Sequence, residues 1–151
     1  MKLLIAYDGS RCSEAALDDL ARAGLPRSGE AMVLSVAEVW LPPPAAPKGG
    51  DPYIEGIVAK YREKGQRVLA EAETFSKHAH ARVSRLLPDW AVTHMATYGS
   101  PAWEILTASV QFQADLIVVG SNGQSAISRA VLGSVSQKVS NSVECTVVIV
   151  R

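Results

Sequence analysis

The chain has 151 residues, of which 48% are hydrophobic and 20% are charged, and its formal net charge at pH 7 is zero. This length and composition fit one folded domain spanning residues 1–151 and exclude a disordered chain. The zero net charge provides no overall attraction for nucleic acid, and no apolar run approaches the roughly 18 residues that suggest a membrane helix. Because the start of the chain lacks a signal-peptide pattern, a cytoplasmic location is expected.

The first predicted element is a strand, Lys2–Tyr7, formed by an apolar run. Ser10 follows as a helix N-cap, and an apolar stripe at helical spacing continues up to Gly24, which predicts the first helix. The second strand is predicted over Ala31–Val39. The Pro- and Gly-rich segment that comes next, Leu41–Tyr53, predicts an exposed loop.

A long second helix is predicted because apolar residues keep a 3.6-residue period from Ile54 to Leu87, before Pro88 ends the pattern. Since this length is above the usual range for one helix, a break near His78–Ala81 is expected. The remaining predicted elements alternate between strand and helix: strand Ala91–Thr97, a helix from Ser100-Pro101, strand Asp115–Gly120, helix Ser134–Ser142 and strand Thr146–Val150.

Strand and helix alternate four times before the last strand. This regularity predicts an α/β fold, namely an open five-stranded, parallel, Rossmann-like sheet with helices on both faces. Ligands bind such sheets at the carboxyl ends of the strands, where the strand order reverses. If the order is 3-2-1-4-5, strands one and four are neighbours, and the segments Tyr7–Ser10 and Gly120–Gly123 line one crevice.

The segment after the fourth strand combines glycines with the start of a helix. Gly120–Gly123 is followed, after nine residues, by Gly133–Ser134, and the free N–H groups at a helix start favour phosphate. The hydroxyls of Ser134 and Ser136 would add donors, and Arg129, the cation within the loop, would meet a phosphate. The pattern is neither a Walker A loop nor a Gly-x-Gly-x-x-Gly fingerprint, and ordinary turns after a strand also contain such glycines.

The sequence resembles the universal stress protein family, whose ATP-binding members carry Gly-x-x-Gly, nine residues and then Gly-Ser or Gly-Thr. The resemblance covers essentially the whole chain. Besides that spacing, it rests on Asp8-Gly9-Ser10, Gly99-Ser100-Pro101, Ala114–Gly120 and Cys145–Val150. We therefore predict the strand order 3-2-1-4-5 and an adenine nucleotide α-hydrolase-like fold.

The resemblance implies an adenine nucleotide site, with ATP as the expected ligand and Mg²⁺ held mainly by its phosphates. Ala6, Tyr7 and Asp8 would cradle the adenine, and Val36 would pack against the base. Asp8 has a second interpretation, in which it only orients the turn into the first helix. The ribose and phosphates would be held by Gly120, Ser121, Gly123, Gly133, Ser134, Val135 and Ser136.

The implied function is that of a small regulatory protein of the stress response that binds ATP. We expect slow hydrolysis or none, because no nucleophile–base pair is evident and Asn122 stands where the family often has a cation. An ATP-independent interaction module of the same fold is the alternative, against which the intact glycines argue. No metal site within the protein is predicted from its three histidines. A homodimer is expected to form through Thr146–Val150, since an apolar sheet edge must be paired or covered.

Overall fold

The computed structural model describes residues 1–39, 52–124 and 132–151. In these ranges, five strands form one sheet: β1 (Lys2–Ala6), β2 (Glu30–Ala37), β3 (Ala91–Tyr98), β4 (Leu116–Gly120) and β5 (Thr146–Val150). The α-helices between them are α1 (Arg11–Asp19), α2 (Pro52–Leu86), α3 (Pro101–Phe112) and α4 (Ser134–Ser142), and a 3₁₀ turn, Leu20–Arg22, follows α1. The loop expected at Leu41–Tyr53 lies outside the described residues, except for Pro52 and Tyr53, which are the first residues of α2.

The strands lie in the order β3-β2-β1-β4-β5, and every neighbouring pair is parallel, which confirms the predicted fold. In the centre of the sheet, Leu4 of β1 lies beside Met32 of β2 and Ile117 of β4. Along the chain, β2 and β3 are added on one side of β1, and β4 and β5 are then added on its other side. The strand order therefore reverses between β1 and β4, and the ends of these strands form the switch point where such sheets bind ligands.

Side chains of the central strands alternate between two hydrophobic cores, because successive residues of a strand point to opposite faces. On one face, Leu3 belongs to a buried cluster with Leu17 of α1 and Val83 of α2. On the other face, Leu4 clusters with Ile105 of α3. Each fully buried side chain of this kind stabilises the fold by about 1.5–3 kcal/mol. Helices thus pack on both faces of the central strands, which fixes the position of the strand ends at the switch point.

Helix α2 is continuous over 35 residues, so the break expected near His78–Ala81 is wrong. That stretch contains neither proline nor glycine, the usual causes of a sharp kink. Ala79 and Val83 are completely buried, which shows that the apolar stripe continues without interruption against β2 and β3. The packing of this stripe on the sheet keeps the helix whole.

The N-terminal half of α2 extends past the sheet. At 1.5 Å per residue the helix is about 52 Å long, whereas an eight-residue strand such as β2 is about 26 Å long. Ile54 and Tyr61 on this half are 54% and 60% exposed. Among the described residues, no helix combines the length and the hydrophobicity that a bilayer-crossing segment requires.

Candidate functional site

A cavity of about 610 Å³ opens at the carboxyl ends of the central strands. Its floor is formed by the end of β1 with Asp8, by β2 from Leu34 onward, and by Gly120 at the end of β4. The first residues of α4 and the loop that follows β4 complete one side of the cavity, and α2 forms the opposite wall. The cavity therefore lies at the switch point that the strand order defines, and it unites both segments that the sequence places on one crevice.

The start of α4 offers free backbone donors to the cavity. Gly133 is its N-cap and makes no side-chain capping bond, and the next helical donor, the N–H of Gln137, bonds to the carbonyl of Gly133 at 2.9 Å. The N–H groups of Ser134, Val135 and Ser136 therefore lack an intrahelical acceptor. All three residues line the cavity, so its α4 end combines free N–H groups with the positive end of the helix dipole.

Two serines of the predicted site are turned toward the protein. The hydroxyl of Ser136 donates to the carbonyl of Gly120 at 2.6 Å and so holds α4 against β4, while Ser136 also lines the cavity; its role toward a phosphate stays a prediction. Ser121 is buried and does not line the cavity. Its N–H donates to the carbonyl of Val150 at 2.6 Å, which occupies its backbone donor, and its carbonyl accepts from the N–H of Gly133 at 2.7 Å. Only Ser134 of the serines considered for the phosphates is exposed.

Glycine is needed at position 120 because α1 packs closely against it, and not because the chain turns there. A Cβ atom at this position would lie 2.9 Å from the backbone carbon of Cys12 and 2.9 Å from the backbone nitrogen of Ser13. Distances below 3.0 Å are not seen for real side chains, so α1 is able to approach β4 only because residue 120 is glycine. This contact places Ser13, on the first turn of α1, at the cavity wall.

Asp8 joins the two loops of the switch point. One carboxylate oxygen accepts from the N–H of Ser10 at 3.0 Å, and the other accepts from the N–H of Gln124 at 3.2 Å. The side-chain amide of Gln124 in turn donates to the carbonyl of Asp8. Asp8 therefore orients the turn before α1, as its second interpretation expects, and it also lines the cavity, where its contact with a nucleotide stays a prediction.

Tyr7 lines the cavity, but its ring is buried on the α1 and α2 face of the sheet, within the same core as Leu17. The ring packs edge-on against Phe75, with centroids 6.3 Å apart, and its hydroxyl donates to Glu14. Glu14 also pairs with Arg82, which ties α1 to α2. Burial, followed by the hydrogen bond to Glu14, raises the pKa of Tyr7 far above its usual range.

This raised pKa predicts that Tyr7 ionises in a late phase of the tyrosine titration, above the usual range for a tyrosine side chain. Because the folded protein holds the Tyr7 proton more tightly than the unfolded chain does, the Tyr7 contribution to stability should be fully present below about pH 10 and fall at higher pH. Tyrosinate absorbance, recorded with circular dichroism, should show Tyr7 ionising only as the fold is lost.

The variant Tyr7→Phe should lack the late phase of absorbance and should lose less stability between about pH 10 and pH 11 than the wild type. If the absorbance difference between the wild type and Tyr7→Phe shows Tyr7 ionising near pH 10 while the circular dichroism signal stays intact, the buried position of the Tyr7 hydroxyl is wrong.

One wall of the cavity comes from α2, which the sequence interpretation did not include. Val68, Glu71, Ala72 and Phe75 line it at the spacing of one helical face. Phe75 lies over Gly9, whose φ is +74° and where a Cβ atom would be 2.8 Å from the Phe75 ring. The periodic pattern contains these residues, but it does not tell which turn of the helix meets the cavity.

Val36 on β2 lines the cavity and packs against the buried cluster on the α3 and α4 face of the sheet, as Val135 of α4 does. The lining thus combines apolar side chains with the N–H groups at the start of α4. Among the described lining residues the charged side chains are Asp8, Glu38 and Glu71, and none is Lys, Arg or His. Arg129, the predicted phosphate contact, lies outside the described residues. Within the described ranges, no group of three or more His, Cys, Asp or Glu side chains is arranged to hold a metal ion.

The strand order and the cavity at the β1–β4 switch point define an α/β protein of the adenine nucleotide α-hydrolase-like fold. The chain belongs to the universal stress protein family, which matches it over residues 1–151. A universal stress protein of Thermus aquaticus, from the QAH/OAS sulfhydrylase 3′ region, is 33% identical over 153 residues, covering 99% of this chain and 97% of its own. The universal stress protein YxiE of Bacillus subtilis is 30% identical over 154 residues, covering 99% and 98%.

Solved structures support the fold. Hypothetical protein MJ0577 superposes with a TM-score of 0.78 at 20% identity, covering 99% of this chain and 94% of its own. A universal stress protein in complex with cAMP has a TM-score of 0.59 at 20% identity, covering 100% and 96%. The universal stress protein of Archaeoglobus fulgidus in complex with dAMP has a TM-score of 0.59 at 19% identity, covering 100% and 98%. Two proteins that share this fold thus hold adenine nucleotides.

Proposed function

We propose that the protein binds an adenine nucleotide, ATP, in the 610 Å³ cavity and acts as a regulatory protein of the stress response. The observation that carries the proposal is the start of α4, where three N–H groups without intrahelical acceptors line a cavity that also has an apolar lining. Phosphates are favoured at the start of α4 by the N–H groups and the helix dipole. A purine base is favoured against the apolar lining, which includes Val36 on β2 and Val68, Ala72 and Phe75 on α2.

The charge of the cavity lining favours ATP in complex with Mg²⁺ over free ATP. The described lining carries three carboxylates and no cationic side chain, so ATP would be repelled more strongly as the free anion than as its Mg²⁺ complex. Mg²⁺ would be held mainly by phosphate oxygens and water, as is usual for nucleotide-bound magnesium. In this function the nucleotide is bound as a regulatory ligand, and no residue is assigned a catalytic role.

Nucleotide binding is tested on the purified full chain. Protein is denatured, and any released nucleotide is identified by chromatography and mass spectrometry. Calorimetric titration with ATP, ADP, AMP, cAMP and GTP, with and without Mg²⁺, then gives the affinities. The proposal expects adenine nucleotides to bind more tightly than GTP and ATP to bind more tightly with Mg²⁺. Absence of both a released nucleotide and a heat of binding would falsify it.

We also propose a homodimer in which β5 pairs with its mate across a two-fold axis. Within the described chain β5 pairs only with β4, so its outer backbone groups are open to another strand, and Val148 is 42% exposed. The variant Val148→Lys should shift the mass measured by light scattering from two chains to one. Met95→Lys, on β3 at the opposite edge of the sheet, is the matched control and should leave the dimer intact. A single-chain mass for the wild type at micromolar concentration contradicts the proposal.

A further inference from the structure

Two histidine rings lie in contact outside the cavity, where α2 packs on β3. His80 is on α2 and His94 is on β3, and the centroids of their rings are 5.1 Å apart, with the ring planes inclined at 60°. Neither residue lines the cavity. His94 is exposed and His80 is half-buried, so solvent reaches the pair. Because β3 is the sheet edge opposite β5, the proposed homodimer does not cover it.

The hydrogen bonds of the two rings assign their tautomers. Nε2 of His80 lies 3.2 Å from the carbonyl oxygen of Val92, which only accepts, so Nε2 carries the proton. Nδ1 of His94 lies 3.3 Å from the hydroxyl oxygen of Ser76. That hydroxyl donates its hydrogen to the carbonyl of Glu73 at 2.9 Å, so it accepts from Nδ1 of His94. Each neutral ring therefore keeps one nitrogen, Nδ1 of His80 and Nε2 of His94, that carries a lone pair and bonds to no other described residue.

This arrangement is typical of histidines that bind a metal ion. A metal-ligating histidine usually donates its second ring N–H to a carbonyl or another acceptor, which fixes the tautomer and the orientation of the ring. Val92 and Ser76 provide these acceptors. A Zn²⁺ ion bound about 2.0–2.1 Å from one nitrogen of each of two rings, at the tetrahedral angle, places the ring centroids about 5 Å apart. The separation of 5.1 Å between the rings of His80 and His94 agrees with this value.

We propose that His80 and His94 bind a divalent transition metal ion, Zn²⁺, with water completing its coordination. Imidazole nitrogen is a good ligand for Zn²⁺, whereas Mg²⁺ prefers oxygen ligands. Within the described ranges no third His, Cys, Asp or Glu side chain joins the pair, so the ion is held by fewer protein ligands than in structural or catalytic zinc sites and exchanges with solvent. The site lies outside the cavity and does not depend on the nucleotide binding proposed above.

Calorimetric titration of the purified full chain with Zn²⁺ tests the site. We expect the wild type to bind Zn²⁺ and the variants His80→Gln and His94→Gln each to bind it at least about tenfold more weakly, since glutamine keeps a polar side chain but has no nitrogen lone pair. His78→Gln is the matched control. His78 lies on the same helix with its ring stacked on Tyr7, and its replacement should leave the affinity for Zn²⁺ unchanged.

Two further measurements do not depend on how well these variants fold. In NMR spectra of the wild type, Zn²⁺ should shift the ring resonances of His80 and His94 and leave those of His78 in place. Ser76→Ala, which removes the acceptor for Nδ1 of His94, should weaken Zn²⁺ binding by about tenfold. The proposal is overturned if the wild type does not bind Zn²⁺, if the shifts are confined to His78, or if His80→Gln and His94→Gln bind Zn²⁺ as the wild type does.

Discussion

Replacing Ser134 by aspartate is expected to weaken ATP binding by about tenfold to a hundredfold while leaving the fold as stable as before or slightly more stable. Ser134 is the first residue of α4, is exposed and lines the cavity, and the first turn of α4 has no acidic residue. An aspartate there interacts favourably with the helix dipole, which adds about 0.3–1 kcal/mol to the free energy of unfolding. The same negative charge occupies the place proposed for the phosphates. Calorimetric titration with Mg-ATP and thermal unfolding measure the two effects separately.

The matched control is Ser142→Asp, at the other end of the same helix. Ser142 is exposed and does not line the cavity, so this variant has the same net charge but should bind ATP as the wild type does. Its aspartate lies at the negative end of the dipole and should lower stability slightly. If both variants lose affinity equally, or if neither does, the phosphates do not bind at the start of α4.

Gly120→Ala is expected to lower the free energy of unfolding by about 1–3 kcal/mol, because the new methyl group overpacks the contact between β4 and α1. The atoms it meets, in Cys12 and Ser13, belong partly to the helix backbone and cannot rotate away as a flexible side chain would. Urea unfolding followed by circular dichroism measures the change.

Gly56→Ala is the control for this substitution, and it should change the free energy of unfolding in the opposite direction. Gly56 lies within α2, and no atom is found within 4 Å of a Cβ built there. Alanine has the higher helix propensity, by about 0.8–1 kcal/mol, so this variant should be more stable than the wild type. A Gly120→Ala protein that is as stable as the wild type would contradict the close approach of α1 to β4.

Much of the fold follows from local patterns in the sequence. The apolar runs around Leu4 and Ile117 predict strands because a parallel strand buried on both faces requires continuous apolar residues. The order of the strands does not follow from such patterns, since the sequence of one strand does not specify which strands lie beside it. That order depended on the family resemblance, and the structure confirms it. The break expected in α2 came from typical helix lengths alone, and the packing of Ala79 against the sheet overrides them.

The site could be predicted only in part. Asp8, Val36 and Ser134 all line the cavity, because each lies at or next to the end of an element that the local sequence pattern predicts. The direction of the Ser121 side chain and the wall formed by Glu71 could not be predicted. Both depend on how a helix is positioned along the sheet, which is a property of tertiary packing and leaves no local pattern in the sequence.

The length of α2 has a consequence for how stability is distributed within the molecule. Its C-terminal turns are held by the sheet around Ala79 and Val83, whereas the turns around Ile54 and Tyr61 are largely solvated and depend mainly on their own helix propensity. A ligand that contacts Val68 and Ala72 would lie at the boundary between the part of α2 that is packed on the sheet and the part that is solvated. Occupancy of the cavity would then be thermodynamically linked to the helix–coil equilibrium of the overhanging turns, so the filled and empty states would differ in the order of a segment that the ligand does not touch.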